Sequence, residues 1–202
     1  MRVKICGITN LRDAEWALRC GADAIGFVFA ESPRRIRIAE AKKITKAVGP
    51  WMSTVGVFVN ESMENVIRAV SECRLTCVQL HGDEGVDYTK RLKLFKVIKA
   101  FRVGENFDFS QLKNYDADAF LFDAKTNRAR GGTGQTFDWA VLKGKKIARP
   151  LVVSGGLNPK NVRLAIRLLS PYGVDASSGV EKKAGVKDPR LVKEFIQNAK
   201  QK

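Results

Sequence analysis

The sequence predicts an α/β protein built as a small, single-domain (β/α)8 or TIM barrel. Three observations carry that expectation. Short apolar runs recur along all 202 residues, a helix-forming stretch follows almost every one, and the runs end near Cys6, Phe29, Val59, His81, Ala100, Asp123, Ser154 and Ser177. The intervals of about 19 to 31 residues are those of one strand-helix repeat. An open doubly wound sheet is the alternative, but it more often has about five or six strands and a glycine fingerprint after the first. Here Gly7 stands alone in that turn.

Taken in order, Arg2 to Ile5 alternates Val3 and Ile5 as a strand, Gly7 permits a sharp turn, and Asn10 with Asp13 marks a helix start. The helix Leu11 to Arg19 stops before Gly21, and Ala24 to Phe29 is continuously apolar, as in a strand buried on both faces. A lysine-bearing helix, Ala39 to Val48, ends at Gly49-Pro50, and Thr54 to Val59 is the third strand. Ser62 to Val70 reads as helix, Thr76 to Leu80 as strand, Val86 to Leu94 as a weaker helix and Phe95 to Ala100 as the fifth strand. From Phe101 to Asp116 there is room for only about one helical turn, around Ser110 to Lys113, so the fifth connection is abbreviated. Ala117 to Asp123 is a strand ending on a carboxylate, followed by the loop Gly131 to Gly134 and a helix around Phe137 to Leu142. Pro150 to Ser154 is the seventh strand, and Asn158-Pro159 caps a helix Lys160 to Leu169. Val174 to Ala176 is the eighth strand, and Asp188-Pro189 opens the last helix, through Ala199.

Composition fits this architecture. With 45% hydrophobic and 28% charged residues, residues 1–202 can bury one core as one domain. No run approaches the ~20 apolar residues of a membrane span, and the chain enters a strand at once, without a leader. The expectation is a cytoplasmic protein with no membrane partner. Cys6, Cys20, Cys73 and Cys77 form no CxxC pair, and His81 is the single histidine, so neither a disulfide framework nor a metal is implied.

The net charge of +15 fits nucleic acid, an acidic membrane surface or an anionic small substrate. The basic residues stand in short groups such as Lys42-Lys43 and Lys182-Lys183, without interleaved aromatics or a basic arm. Solvated helix faces explain most of them, and surface ion-pair networks of a heat-stable protein would use them too. Nucleic-acid binding is the competing class, and it predicts affinity falling steeply with salt.

In such a barrel the C-terminal strand ends open on one face. Cys6, ending the first strand, then lies across the mouth from Asp123, ending the sixth, suited to a base and an acid on opposite sides of a small substrate. Plainer readings are a small buried hydrophobe for Cys6 and a cap for Asp123. After strands seven and eight, Ser154-Gly155-Gly156-Leu157 and Ser177-Ser178-Gly179-Val180-Glu181 offer backbone N–H groups and hydroxyls to an anion. Gly155, Gly156, Ser178 and Gly179 are therefore candidate phosphate binders. Gly132 and Gly134, flanking Thr133, either close over that phosphate as a mobile loop or form a plain turn.

With these motifs the chain resembles, from end to end, the phosphoribosylanthranilate isomerase family of tryptophan biosynthesis. The resemblance rests on Lys4-Ile5-Cys6-Gly7-Ile8-Thr9, Gly56-Val57-Phe58-Val59-Asn60, Gln79-Leu80-His81-Gly82, Leu121-Phe122-Asp123 with Gly131-Gly132-Thr133-Gly134, Leu157-Asn158-Pro159 and Ser177-Ser178-Gly179-Val180-Glu181. It implies a cofactor-free Amadori rearrangement of a small phosphorylated substrate, N-(5'-phosphoribosyl)anthranilate, by a monomer or homodimer. On that resemblance Asp123 protonates the furanose ring oxygen, Cys6 removes the C2 proton of the Schiff base, and Arg34 pairs with the anthranilate carboxylate. Arg35 departs from the family's frequent aromatic residue there. His81 and Asp175 are implied to orient the substrate or its amine. The two reacting groups need opposite environments: Cys6 needs thiolate character, whereas Asp123 has to hold a proton. A related sugar isomerase of histidine biosynthesis typically uses two aspartates, and the cysteine at the first strand end argues against it.

Overall fold

Strands apolar on both faces need cover on both sides, and the chain provides it by closing the sheet on itself and wrapping helices around it. The computed structural model describes residues 1–104, 106–124 and 139–201. Eight parallel strands pair in chain order and close: β1 (Arg2–Cys6), β2 (Ala24–Val28), β3 (Ser53–Phe58), β4 (Cys77–Leu80), β5 (Val97–Val103), β6 (Ala119–Ala124), β7 (Leu151–Val153) and β8 (Gly173–Ala176). The expected barrel is present. Closure is made by β8 against β1, with Lys4 opposite Asp175 and Ile5 opposite Ala176.

The outer helices are α1 (Leu11–Arg19), α2 (Ile38–Val48), α3 (Met63–Cys73), α4 (Val86–Arg91), α5 (Val162–Leu169) and α6 (Pro189–Lys200). Side-chain caps set several of their starts. Asn10 accepts from the Asp13 N–H at 2.9 Å, Ser62 from Asn65 at 3.2 Å, and Asp188 from Arg190 at 2.8 Å with Pro189 in the first turn.

The fifth connection is abbreviated as expected, to a 3₁₀ turn at Phe109–Asn114. β5 itself runs past Ala100 to Val103, because Phe101 anchors a group of rings: its centroid lies 5.7 Å from Phe107, 5.1 Å from Tyr115 and 5.5 Å from Phe120. Of the helix expected around Phe137 to Leu142, the described part is a single 3₁₀ turn, Trp139–Leu142. Side chains three apart eclipse in such a turn, and Trp139 and Leu142 are both buried. α5 starts at Val162 rather than Lys160. Asn158 Oδ1 takes the Lys160 N–H and Asn161 Oδ1 takes the Asn158 N–H, so side-chain turns replace the first helical turn. After β8 a small antiparallel hairpin, β9 (Glu181–Lys183) and β10 (Val186–Lys187), was not legible in the sequence.

The main core lies between barrel and helices and includes Ile5, Phe27, Phe58, Phe120, Val153 and Phe195. Inside the barrel the two sides differ. One is apolar, with Ala100, Ala119, Leu121 and Val152 packed together. The other holds Lys4, Gln79 and Asp175, only 6%, 1% and 4% exposed.

Candidate active site

Cys6 ends β1 with its side chain inside the barrel, and Gly7, at φ +74°, turns the chain outward. The Arg34 side chain packs over Gly7, where an added Cβ would come 2.7 Å from Cδ. Across the sheet Gly26 leaves room for the thiol, since a Cβ there would stand 2.7 Å from Cys6 Sγ. Burial pushes the Cys6 thiol up, while Lys4 pulls it down, Asp175 adds to the rise and Lys187 opposes it. The balance of these neighbours lies on the side of the neutral thiol. A buried sulfur loses more hydration than the two lysines restore.

Asp123 stands near the end of β6, with its side chain 29% exposed, and its Oδ2 lies 3.1 Å from His81 Nε2. His81 follows directly on β4, its backbone N–H held by the Phe58 carbonyl at 2.8 Å. A cavity of about 310 Å³ opens beside it, lined in part by Arg102, Phe107 and Tyr115.

Asp175 is the penultimate residue of β8 and 4% exposed. It sits within β8 with Oδ2 at 2.9 Å from Lys4 Nζ. A buried ammonium persists only when paired, and Lys4 is paired twice, donating also to Gln79 Oε1 at 2.9 Å. Burial lowers the Lys4 ammonium, but Asp175 and Cys6 outweigh it and hold it above its ordinary range. Asp175 Oδ1 is buried with no partner among the described residues.

Arg34 is bound side-on by Glu181, Nε at 2.9 Å from Oε1 and Nη2 at 2.7 Å from Oε2. Lys187 Nζ, donated from β10, reaches the same carboxylate at 2.8 Å. Burial would raise the Glu181 carboxyl, yet Arg34 and Lys187 hold it below the usual carboxylate range. Lys187 is drawn down by its own burial, against Glu181.

The two expected phosphate loops do meet. Gly155 and Gly156 turn through φ +81° and +68°, a conformation other residues adopt only with strain. The Gly156 carbonyl is drawn to Asn161 Nδ2 at 2.9 Å and Asn158 Nδ2 at 3.3 Å. In a trans peptide this sends the Leu157 N–H to the opposite side. Gly179 packs directly on the Leu157 carbonyl, closer than any Cβ could, and Ser178 opens a 3₁₀ turn beside it. Gly132 and Gly134 lie outside the described residues.

A barrel mouth with a cysteine, an aspartate and two meeting glycine loops meets its family here. Residues 3–198 match the model of the N-(5'phosphoribosyl)anthranilate (PRA) isomerase family. The chain belongs to this isomerase family. An N-(5'-phosphoribosyl)anthranilate isomerase of Geobacter metallireducens is 45% identical over 201 residues, covering 99% of both chains. The crystal structure of phosphoribosyl anthranilate isomerase from Thermotoga maritima superposes with a TM-score of 0.92 at 45% identity, over 99% of this chain and 98% of that one. A phosphoribosyl anthranilate isomerase in complex with reduced 1-(o-carboxyphenylamino)-1-deoxyribulose 5-phosphate superposes at 0.87, with 41% identity over 99% and 98%. No described helix is long and apolar enough to cross a membrane.

Lys4, Gln79, Lys187 and Gly26 escaped the sequence reading of this family member's site. A signal existed for two of them. Lys4 and Gln79 are charged or polar residues at inward positions of otherwise apolar strands, a pattern that requires a buried partner.

Proposed function

We propose that this chain catalyses the Amadori rearrangement of N-(5'-phosphoribosyl)anthranilate to 1-(2-carboxyphenylamino)-1-deoxyribulose 5-phosphate in tryptophan biosynthesis. The observation that carries the reading is the joint placement, at one mouth, of the Cys6 thiol, the Asp123 carboxyl and the meeting loops of β7 and β8. The phosphate docks on Gly155, Gly156, Ser178 and Gly179, and Gly132 and Gly134 are further candidate binders of it. The Arg34 edge left free by Glu181 takes the anthranilate carboxylate.

Asp123 gives its proton to the ring oxygen as the C1–O bond breaks, while the anilino nitrogen lone pair forms the C=N bond. Cys6, as thiolate, then takes the C2 proton, and the C–H electrons form the enolamine while the iminium electrons return to nitrogen. The enolamine becomes the ketone by gaining a proton at C1 and losing the one on the C2 hydroxyl. Lys4, with its ammonium beside the sulfur, lowers the cost of forming the thiolate. Asp175 Oδ1, buried and unpartnered among the described residues, accepts from a substrate hydroxyl or amine.

The net charge of +15 draws a substrate bearing both a phosphate and a carboxylate toward the mouth. Residues 1–202 act as one domain in the cytoplasm, as a monomer or homodimer; one structural relative, from Thermotoga maritima, is described as a dimeric enzyme.

The deciding experiment is turnover of freshly generated phosphoribosylanthranilate, followed by its loss of fluorescence, for wild type beside Cys6→Ala and Asp123→Asn, with folding checked by circular dichroism. Wild type turns over, and both folded variants lose roughly 10²- to 10⁴-fold in kcat. An inactive wild type overturns the substrate assignment, and an active Cys6→Ala overturns the base.

A further inference from the structure

One unbroken chain of hydrogen bonds crosses the polar half of the barrel, from beneath the proposed base to the proposed acid. Asp175 Oδ2 meets Lys4 Nζ at 2.9 Å, Lys4 Nζ meets Gln79 Oε1 at 2.9 Å, Gln79 Nε2 meets His81 Nδ1 at 2.8 Å, and His81 Nε2 meets Asp123 Oδ2 at 3.1 Å. The chain spans β8, β1, β4 and β6.

Its polarity follows from its one unambiguous member. A lysine ammonium has three donors and no acceptor. The Gln79 atom facing Lys4 is therefore the oxygen, and the NH2 end of the amide faces His81. An amide NH2 donates only, so His81 Nδ1 has to be the acceptor and carries no proton. In a neutral imidazole the proton then sits on Nε2 and is donated to Asp123. An imidazolium would set its Nδ1–H against the amide NH2, donor against donor.

We propose that Lys4 and Gln79 are positioning residues that lock His81 as the neutral Nε2–H tautomer and thereby decide which oxygen of Asp123 delivers the proton. With Oδ2 occupied as the acceptor from His81, the acidic proton resides on Oδ1, the oxygen left for the substrate ring oxygen. Lys4 thus serves both ends of the reaction, standing beside Cys6 and, through Gln79 and His81, orienting Asp123. Gln79 is 1% exposed and bonds only Lys4 and His81 among the described residues, so its hold on Asp123 passes through His81. The step from tautomer to turnover rests on the reading of Asp123 as the acid; the tautomer itself does not.

His81 is the only histidine in the chain, so nuclear magnetic resonance of protein labelled with 15N-histidine reports on this ring alone. The wild type gives one protonated nitrogen, Nε2, and one pyridine-type nitrogen, Nδ1, told apart by their couplings to the ring protons. Gln79→Glu, nearly isosteric, accepts from both Lys4 and His81, moves a proton to Nδ1, and lowers kcat about tenfold or more while KM changes less. Gln79→Leu, the control should the buried carboxylate prevent folding, leaves a mixture of tautomers. A wild-type ring protonated on Nδ1, or a folded Gln79→Glu with the wild-type pattern, overturns the lock. If the pattern moves as stated but Asp123→Asn retains full turnover, the lock stands and the assignment of the acid falls.

Discussion

Arg34 and Glu181 lie 147 residues apart in the chain and meet side-on, with Nη2 at 2.7 Å and Nε at 2.9 Å from the two carboxylate oxygens. Such a fork fixes the plane of the guanidinium and aims its remaining N–H groups before any ligand arrives. Lysine has the charge without the plane. Arg34→Lys should therefore raise KM for phosphoribosylanthranilate about tenfold or more with a smaller change in kcat. Steady-state kinetics checks this, and an unchanged KM would remove Arg34 from the carboxylate site.

Because burial raises the Cys6 thiol, the folded chain holds that proton more tightly than the unfolded one. The stability this contributes is fully present below the unfolded thiol value of about 8.5 and is lost as pH rises through the higher folded value. Thiolate absorbance of wild type minus Cys6→Ser should show a midpoint above that of free cysteine. Lys4→Met should move it further up, since the opposing pull of the ammonium is gone. A wild-type midpoint at or below that of free cysteine would contradict both statements.

Gly26→Ala places a methyl group 2.7 Å from Cys6 Sγ and 3.0 Å from Lys4 Cε. The thiol has to move by a large fraction of an ångström, and misplacement of about 1 Å can cost 10²-fold in rate. The variant should stay folded, lose most of its kcat and alkylate Cys6 at an altered rate, as mass spectrometry would show.

At the phosphate loops, Gly179→Ala drives a Cβ into the Leu157 carbonyl, which is backbone and cannot step aside. The loops after β7 and β8 should separate, weakening inhibition by inorganic phosphate together with substrate binding. A variant with unaltered phosphate inhibition would place the anion elsewhere.

Beneath the mouth, Lys99 Nζ donates to Glu84 at 2.8 Å and to the Gly82 carbonyl at 2.7 Å, with both ionic side chains buried. Removing one partner of a buried pair costs about 3–5 kcal/mol. Lys99→Met should lower urea stability by about that amount, and Lys99→Met/Glu84→Gln should recover part of it.

Much of this was legible before folding. Periodicity along the chain marks all eight strands, because strands buried on both faces need uninterrupted apolar runs. Asn10, Ser62 and Asp188 announce helix starts through bonds made within three residues. Asn158 misled, since its bonds are just as local but build turns that compete with the helix.

What the sequence determined by itself was therefore the barrel, and with it the convergence of Cys6, Asp123 and the two glycine loops at one mouth. Only the tertiary structure decided what each of these groups meets. Gly26 beside the sulfur, Glu181 behind Arg34, and Lys4 with Asp175 and Gln79 in the interior are separated by 20 to 171 residues from their partners. Burial removes the water that would otherwise solvate these groups, so their protonation and direction are set by the neighbours that barrel closure supplies.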